Sequence, residues 1–331
     1  MNRRNFVKKT AVTSLSMGLS TLTISNVASR SATGRIGIIG LDTSHSPAFA
    51  RYINNKGNGF RVTAAYTTVS KDIPASANRV EKFTSQVKEM GIKIAGSIEE
   101  LLNEVDYVLL ETVDGRRHAE QADKVFRSGK RVFIDKPIAG SLEDAISIFE
   151  ASKKYNVPTF SCSGTRFMSR VQAVRKGEIG QVMGADTFSP VELEPTHPDL
   201  FWYGIHGVEI LFTVMRPGCQ RVRRVVTDAY EQVVGDWGDG RIGTFRGIKK
   251  GKKNYGGQAF GTEGLSYLGK WESYNAMIDA ILHYFATGEV PVEPAETLEI
   301  YAFMEAAHES KRQGGAWVTL DSVLKKARGL K

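Results

Sequence analysis

From residue 35 onward, short apolar runs alternate with longer amphipathic stretches. Residues 35–39, 61–66, 105–110, 132–134 and 158–162 are aliphatic or β-branched runs of strand length, and 92–94 is a shorter one. Between them, residues 48–55, 75–90, 97–103, 117–128 and 142–155 space their apolar positions as helices do. Punctuation agrees with these limits. Ser46-Pro47 opens the first helix, Gly91 stops the second and Gly129 closes the fourth. Ser97 with Glu100 forms a capping-box pattern, and Ser141 caps the helix that follows. Strand, helix and strand joined by short loops predict a parallel sheet with right-handed crossovers, hence a doubly wound α/β fold.

The first thirty residues break this pattern. They carry Arg3, Arg4, Lys8, Lys9 and Arg30 with no acidic residue, and 2–8 reads N-R-R-N-F-V-K. That string resembles a twin-arginine export signal, and the Ser/Thr-rich apolar stretch 11–27 that follows is too polar for a membrane span. The reading is an exported, periplasmic or extracytoplasmic protein without stable membrane insertion. Removing the five leader cations lowers the formal charge from +8 to +3, a field too weak to argue for nucleic acid. The basic run 246–253, with Gly247 and Gly251, reads as a solvated loop. Cys162 and Cys219 are the only cysteines and make no disulfide framework. They are expected to be buried thiols.

Chemistry in such folds gathers beyond the carboxyl ends of the strands. Residues 130–140 read K-R-V-F-I-D-K-P-I-A-G, so Asp135 and Lys136 emerge where a ligand would lie. Pro137 holds Lys136 extended, and a desolvated lysine can serve as acid or base. The first strand–turn–helix is the place for pyrophosphate, yet only Gly40 of G-x-G-x-x-G is present. Asp42 and His45 stand where the other glycines belong. Thr43 and Ser44 still offer hydroxyls and N–H groups at a helix start. After the second strand, Thr67, Thr68 and Lys71 replace the acidic residue that binds ribose hydroxyls, which favours NADP over NAD.

These residues resemble the glucose-fructose oxidoreductase / inositol dehydrogenase / MocA-like family of sugar oxidoreductases. The likeness rests on 97–102 (S-I-E-E-L-L), on Glu111-Thr112 followed by His118, and on 130–137 with Asp135 in place of Glu. It continues through Gly204-Ile205-His206-Gly207-Val208-Glu209, Gly261-Thr262-Glu263-Gly264 and a closing helix over 296–312. The resemblance implies an NAD(P)-binding Rossmann domain over 33–160 behind an export segment at 1–32. A second α/β domain over 161–331 is implied, with an open, mainly antiparallel sheet that pairs subunits into a homo-oligomer.

It also implies hydride transfer between a nicotinamide cofactor, NAD or NADP, and a sugar or sugar-like polyol, with Lys136 and His206 catalytic. The cofactor contacts it implies are Gly40, Asp42, Thr43, Ser44, His45, Thr67, Thr68, Glu111, His118, Asp135 and Lys136. Trp202, Tyr203 and Arg166 are taken as substrate contacts. One departure is that Trp202 stands where the family has an Asp four residues before the histidine. NAD-dependent glycoside hydrolysis or elimination without net redox, and a non-catalytic sugar-binding homologue, are the alternatives.

Each site residue also has an ordinary reading. His206 can be a satisfied core histidine, His118 a helix cap, and His45 with Asp42 a cap and its partner. His197 lies near Glu192, Glu194 and Asp199 in a segment interrupted by Pro190, Pro195 and Pro198. That spacing defines no metal site, and the segment reads as an irregular loop over the cleft.

Overall fold

The computed structural model describes residues 33–330. The export segment read at 1–32 lies outside the described residues. Thirteen strands are present among them. In chain order they are β1 (Gly34–Ile39), β2 (Phe60–Tyr66), β3 (Lys93–Ala95), β4 (Tyr107–Leu110), β5 (Arg131–Ile134), β6 (Thr159–Phe160) and β7 (Val182–Pro190). There follow β8 (Arg221–Val226), β9 (Tyr230–Asp236), β10 (Ile242–Ile248), β11 (Gly256–Gly261), β12 (Leu265–Tyr267) and β13 (Val318–Thr319).

The first six strands form one parallel sheet in the order β3-β2-β1-β4-β5-β6. The order reverses at β1, and ligands of such sheets bind at the carboxyl ends beside that switch point. The sheet is parallel because each strand returns through a helix, and both faces are covered. The central strands are therefore apolar throughout, as in Val108, Leu109 and Leu110 or Val132, Phe133 and Ile134, all fully buried. Ser97 and Ser141 cap their helices as their patterns predict, accepting from the N–H groups of Glu100 and Asp144 at 3.0 Å each. The helix expected over 75–90 is broken. A short turn of helix, Pro74–Ala77, precedes Val80–Glu89, with Asn78 and Arg79 between them.

The remaining strands form a seven-stranded sheet in the order β12-β11-β7-β10-β9-β8-β13. Its pairs are antiparallel except β7 with β10. The basic run read as a loop is corrected at its start only, since residues 249–253 do form a largely exposed loop. Arg246 and Gly247 lie inside β10, between β7 and β9. Gly247 serves close packing rather than a turn, because a Cβ there would come within 2.3 Å of Val191 Cγ2.

The two sheets share core. One apolar cluster runs from Ile39, Val108 and Ile134 through Val171 and Phe201 to Phe245 and Phe303. The chain also returns to the first sheet late, since the helix Asn275–Thr287 buries Ile278, Ile281 and Phe285 with Phe49, Phe133 and Phe160. Cys162 and Cys219 are both buried and free. Among the described residues no helix is long and apolar enough to cross a membrane.

Candidate active site

Beyond the carboxyl ends of β1, β4 and β5 lies a cavity of about 220 Å³. Lys136 and His206 both line it, together with Thr43, Ser44, His45, Trp202 and Tyr203. Lys136 is placed by β5, whose exit is pinned by the Asp135 N–H donating to Leu110 O at 2.8 Å. Among the described residues its amine has no hydrogen bond or ion pair. It sits 5.4 Å from the centroid of the Tyr203 ring. Burial lowers its pKa; Asp135 opposes that shift and Arg79 adds to it.

His206 enters from the other side, on the first turn of the helix Ile205–Met215. Gly207 lets that helix press onto the second sheet, since a Cβ would meet Phe245 Cε2 at 2.3 Å. The imidazole is ringed by Tyr203 and Tyr255, both edge-on, and its Nδ1 lies 2.7 Å from Ser163 Oγ. Burial drives its pKa well below the ordinary value, and Lys136 and His45 push the same way, so the ring is neutral.

His45 bridges the two halves. Its Nδ1 lies 2.6 Å from Asp135 Oδ2 and its Nε2 lies 3.0 Å from Tyr274 Oη. It stacks on Phe49 with centroids 5.3 Å apart. The result is an Asp135–His45–Tyr274 chain across the strand ends. Burial works most strongly against the Asp135 carboxylate, but His45, the Lys136 charge and the Lys136 N–H together keep its pKa lowered.

Several expected contacts lie elsewhere. Arg166 is fully buried and takes no part in the cavity. It donates to Glu209 and Glu296, an ion cluster that Arg175 joins at 3.4 Å from Glu296. A charge that deep requires such partners. His118 is also fully buried, with Nε2 2.7 Å from Thr112 O and Nδ1 3.2 Å from Ile138 O. It holds the loop after β4 to the loop after β5.

Glu111 is fully buried, and neither carboxylate oxygen has a hydrogen-bond partner. Burial, aided by Asp135 and opposed by Ser46, raises its pKa well above the ordinary value. Thr67 and Thr68 do not reach the cavity. Thr67 contacts Thr84 at 3.4 Å and Thr68 is buried. His197 is a packing residue, 5.1 Å from the Trp202 ring and pushed down to about 4 by burial. No group of ligating side chains that could hold a metal occurs among the described residues.

The cavity also holds residues that sequence patterns did not single out, among them Arg79, Ser163, Thr165, Tyr255, Trp271 and Tyr274. None of its lining residues is acidic.

The two ends of the site differ in how they suit a dinucleotide. At the phosphate and nicotinamide end the residues fit. Gly40, at φ +98°, passes so close to the loop after β4 that a Cβ would lie 2.3 Å from Thr112 N. Beyond it the helix His45–Lys56 presents its N-terminus, Thr43 and Ser44 to a cavity that also holds Arg79 and Lys136. At the adenosine end, over β2, side chains cross the groove. Ser76 Oγ donates to Asp42 Oδ2 at 2.6 Å, and the Val113 N–H donates to Asp42 Oδ1 at 3.0 Å. Ser70 Oγ donates to Asp114 Oδ2 at 2.6 Å. Asp42, expected to touch the cofactor, instead ties segment 67–77 to the loops after β1 and β4. These ties lie beside the carboxyl end of β2, the place where such folds receive the adenosine.

Comparison with known proteins locates the first sheet. Residues 34–161 match a family model described as an oxidoreductase family with an NAD-binding Rossmann fold. An uncharacterized oxidoreductase of Streptococcus pneumoniae is 31% identical over 144 residues, 42% of this chain and 35% of that protein. The 1,5-anhydro-D-fructose reductase of Ensifer adhaerens is 30% identical over 141 residues, 40% of this chain and 42% of its own. The chain therefore spans well under half the length of these relatives.

Among solved structures, scyllo-inositol dehydrogenase from Lactobacillus casei, with bound NAD(H) and scyllo-inositol, superposes with a TM-score of 0.71 at 14% identity. It covers 88% of this chain and all of that one. An oxidoreductase from Thermotoga maritima gives 0.70 at 19% identity over 88% of this chain and 99% of its own. At such identities the likeness is one of fold. Over residues 34–161 this chain is therefore similar to an oxidoreductase family with an NAD-binding Rossmann fold.

Proposed function

We propose that the protein is a nicotinamide-dependent oxidoreductase acting on a hydroxyl-bearing carbon of a sugar or sugar-like polyol. One observation carries this reading. An unpaired amine, Lys136, and a neutral imidazole, His206, meet in one aromatic-lined cavity at the carboxyl ends of the parallel strands. Trp271, Tyr255 and Tyr203 offer ring faces to a sugar. His206 takes the proton of the reacting hydroxyl, and Lys136 holds its oxygen and stabilises the charge that develops there. Thr43, Ser44 and Arg79 would hold the cofactor's phosphates, and when bound the nicotinamide supplies the hydride acceptor.

Two variants of the proposal follow from the sequence. The protein is exported folded, with cofactor already in place. The exposed face of the second sheet, which carries Val225, Ile242, Leu265 and Tyr267, pairs two copies.

The ties across the adenosine end favour a second reading, acid–base chemistry on a glycoside without net redox. Titration of nicotinamide fluorescence with both cofactors, and mass spectrometry of the denatured protein, separate the two. Bound NAD or NADP, with reduced cofactor appearing on polyol addition, supports the first reading. Sugar turnover without either overturns it in favour of the second.

A further inference from the structure

Trp202 stands four residues before His206, so that position offers the ring no carboxylate. Its protonation state is nonetheless set by a short hydrogen-bond chain from the loop after β6. Thr165 Oγ1 lies 2.8 Å from His206 O, and only the threonine has a hydrogen to place there. Ser163 Oγ lies 2.8 Å from Thr165 Oγ1. With the threonine hydrogen committed to the carbonyl, the serine hydrogen must fill that contact. Ser163 Oγ then has only lone pairs for the 2.7 Å contact with His206 Nδ1, and it also accepts from the Thr165 N–H at 3.2 Å. The imidazole hydrogen therefore sits on Nδ1. The other arrangement would leave two oxygen lone pairs facing each other at hydrogen-bond distance, with no proton between them.

We infer that Thr165 and Ser163 are positioning residues that fix the resting His206 as the Nδ1–H tautomer, leaving Nε2 as a bare proton acceptor toward the cavity. This deepens the proposed reaction and rests on it for its chemical meaning. It makes His206 a base in the first step, taking the O–H proton on Nε2 while Nδ1–H remains donated to Ser163. The proton balance is simple: the hydroxyl loses one, the ring gains one and becomes imidazolium. Both hydroxyl residues are buried, with Ser163 1% and Thr165 2% exposed, so water does not compete for these bonds.

The test is the ¹⁵N shift pattern of the His206 ring, assigned by its loss in His206→Gln, in wild type, Thr165→Ser and Thr165→Val. The wild type and Thr165→Ser are expected to show Nδ1–H. In Thr165→Val the Ser163 hydroxyl is released to donate to Nδ1, and the ring is expected to switch to Nε2–H. Where turnover is measurable, Thr165→Val should lower kcat by roughly 100-fold or more with KM little changed, and Thr165→Ser should restore it. An Nε2–H ring in the wild type, or an unchanged tautomer in Thr165→Val, overturns the inference. The NMR result stands whether or not any sugar is turned over, so a failure of the proposed reaction is read separately.

Discussion

Replacing Lys136 by Met separates stability from chemistry. The amine is buried beside the cavity and unpaired among the described residues. Its charged form keeps only the attraction of Asp135 and the face of Tyr203. Because burial outweighs these, the folded protein binds this proton more weakly than the unfolded chain does. Each unit of such a shift corresponds to about 1.4 kcal/mol. Methionine keeps most of the stem and removes the desolvated charge. Allowing for the lost cation–π contact, Lys136→Met should gain about 1 kcal/mol, or about 2–4 °C in Tm.

The gain has a defined pH dependence. It is full below the depressed folded pKa and fades as pH rises toward about 10.4, where the unfolded lysine also loses its proton. Turnover should fall by roughly 100-fold to 10,000-fold, about 2.7–5.5 kcal/mol of barrier. Thermal melts at pH 7 and pH 10 and steady-state rates measure both effects. A variant that melts several degrees lower at pH 7 would refute the reasoning, because it would mean that the amine holds the fold together.

Arg166→Met should destabilise by about 3–5 kcal/mol in urea unfolding, because it leaves Glu209 and Glu296 buried without their partner. Glu111→Met should raise stability at pH 7 and have little effect near pH 4. The raised Glu111 pKa costs stability as pH climbs above the ordinary carboxylate value, and melting curves at both pH values check this. Gly40→Ala combines a left-handed φ with a 2.3 Å clash against Thr112 N, and should cost about 2 kcal/mol or more in a denaturant midpoint. Ser76→Ala removes the donor that ties segment 67–77 to Asp42, and should tighten or speed dinucleotide binding in a fluorescence titration.

Local pattern carried much of this structure. The parallel sheet was legible because buried strands and capped helices alternate, and each signal lies within a dozen residues. Lys136 was legible for the same reason, as the first polar side chain beyond Asp135 at the end of an apolar run. What was not legible depends on contacts between distant residues. Tyr274 reaches His45 across 229 positions, and nothing near either residue marks the pair.

Arg166 was expected to touch substrate. The structure turns it inward to Glu209 and Glu296, 43 and 130 positions away. Asp42 stands where a glycine of the pyrophosphate turn belongs and was expected to touch the cofactor. The carboxylate is instead consumed by Ser76 and the Val113 amide, in a segment whose expected single helix breaks at Asn78 and Arg79. Ser163 and Thr165 carried no motif, and their importance follows only from how three oxygens and one ring nitrogen divide their hydrogens.

The most direct test of the acid–base pair is the rate of conversion of a panel of sugars and polyols, followed by mass spectrometry of the products, in wild type, Lys136→Met and His206→Gln. The account predicts a substrate oxidised by two hydrogens in the wild type, with both variants folded and at least 100-fold slower. Equal rates in all three proteins would contradict it.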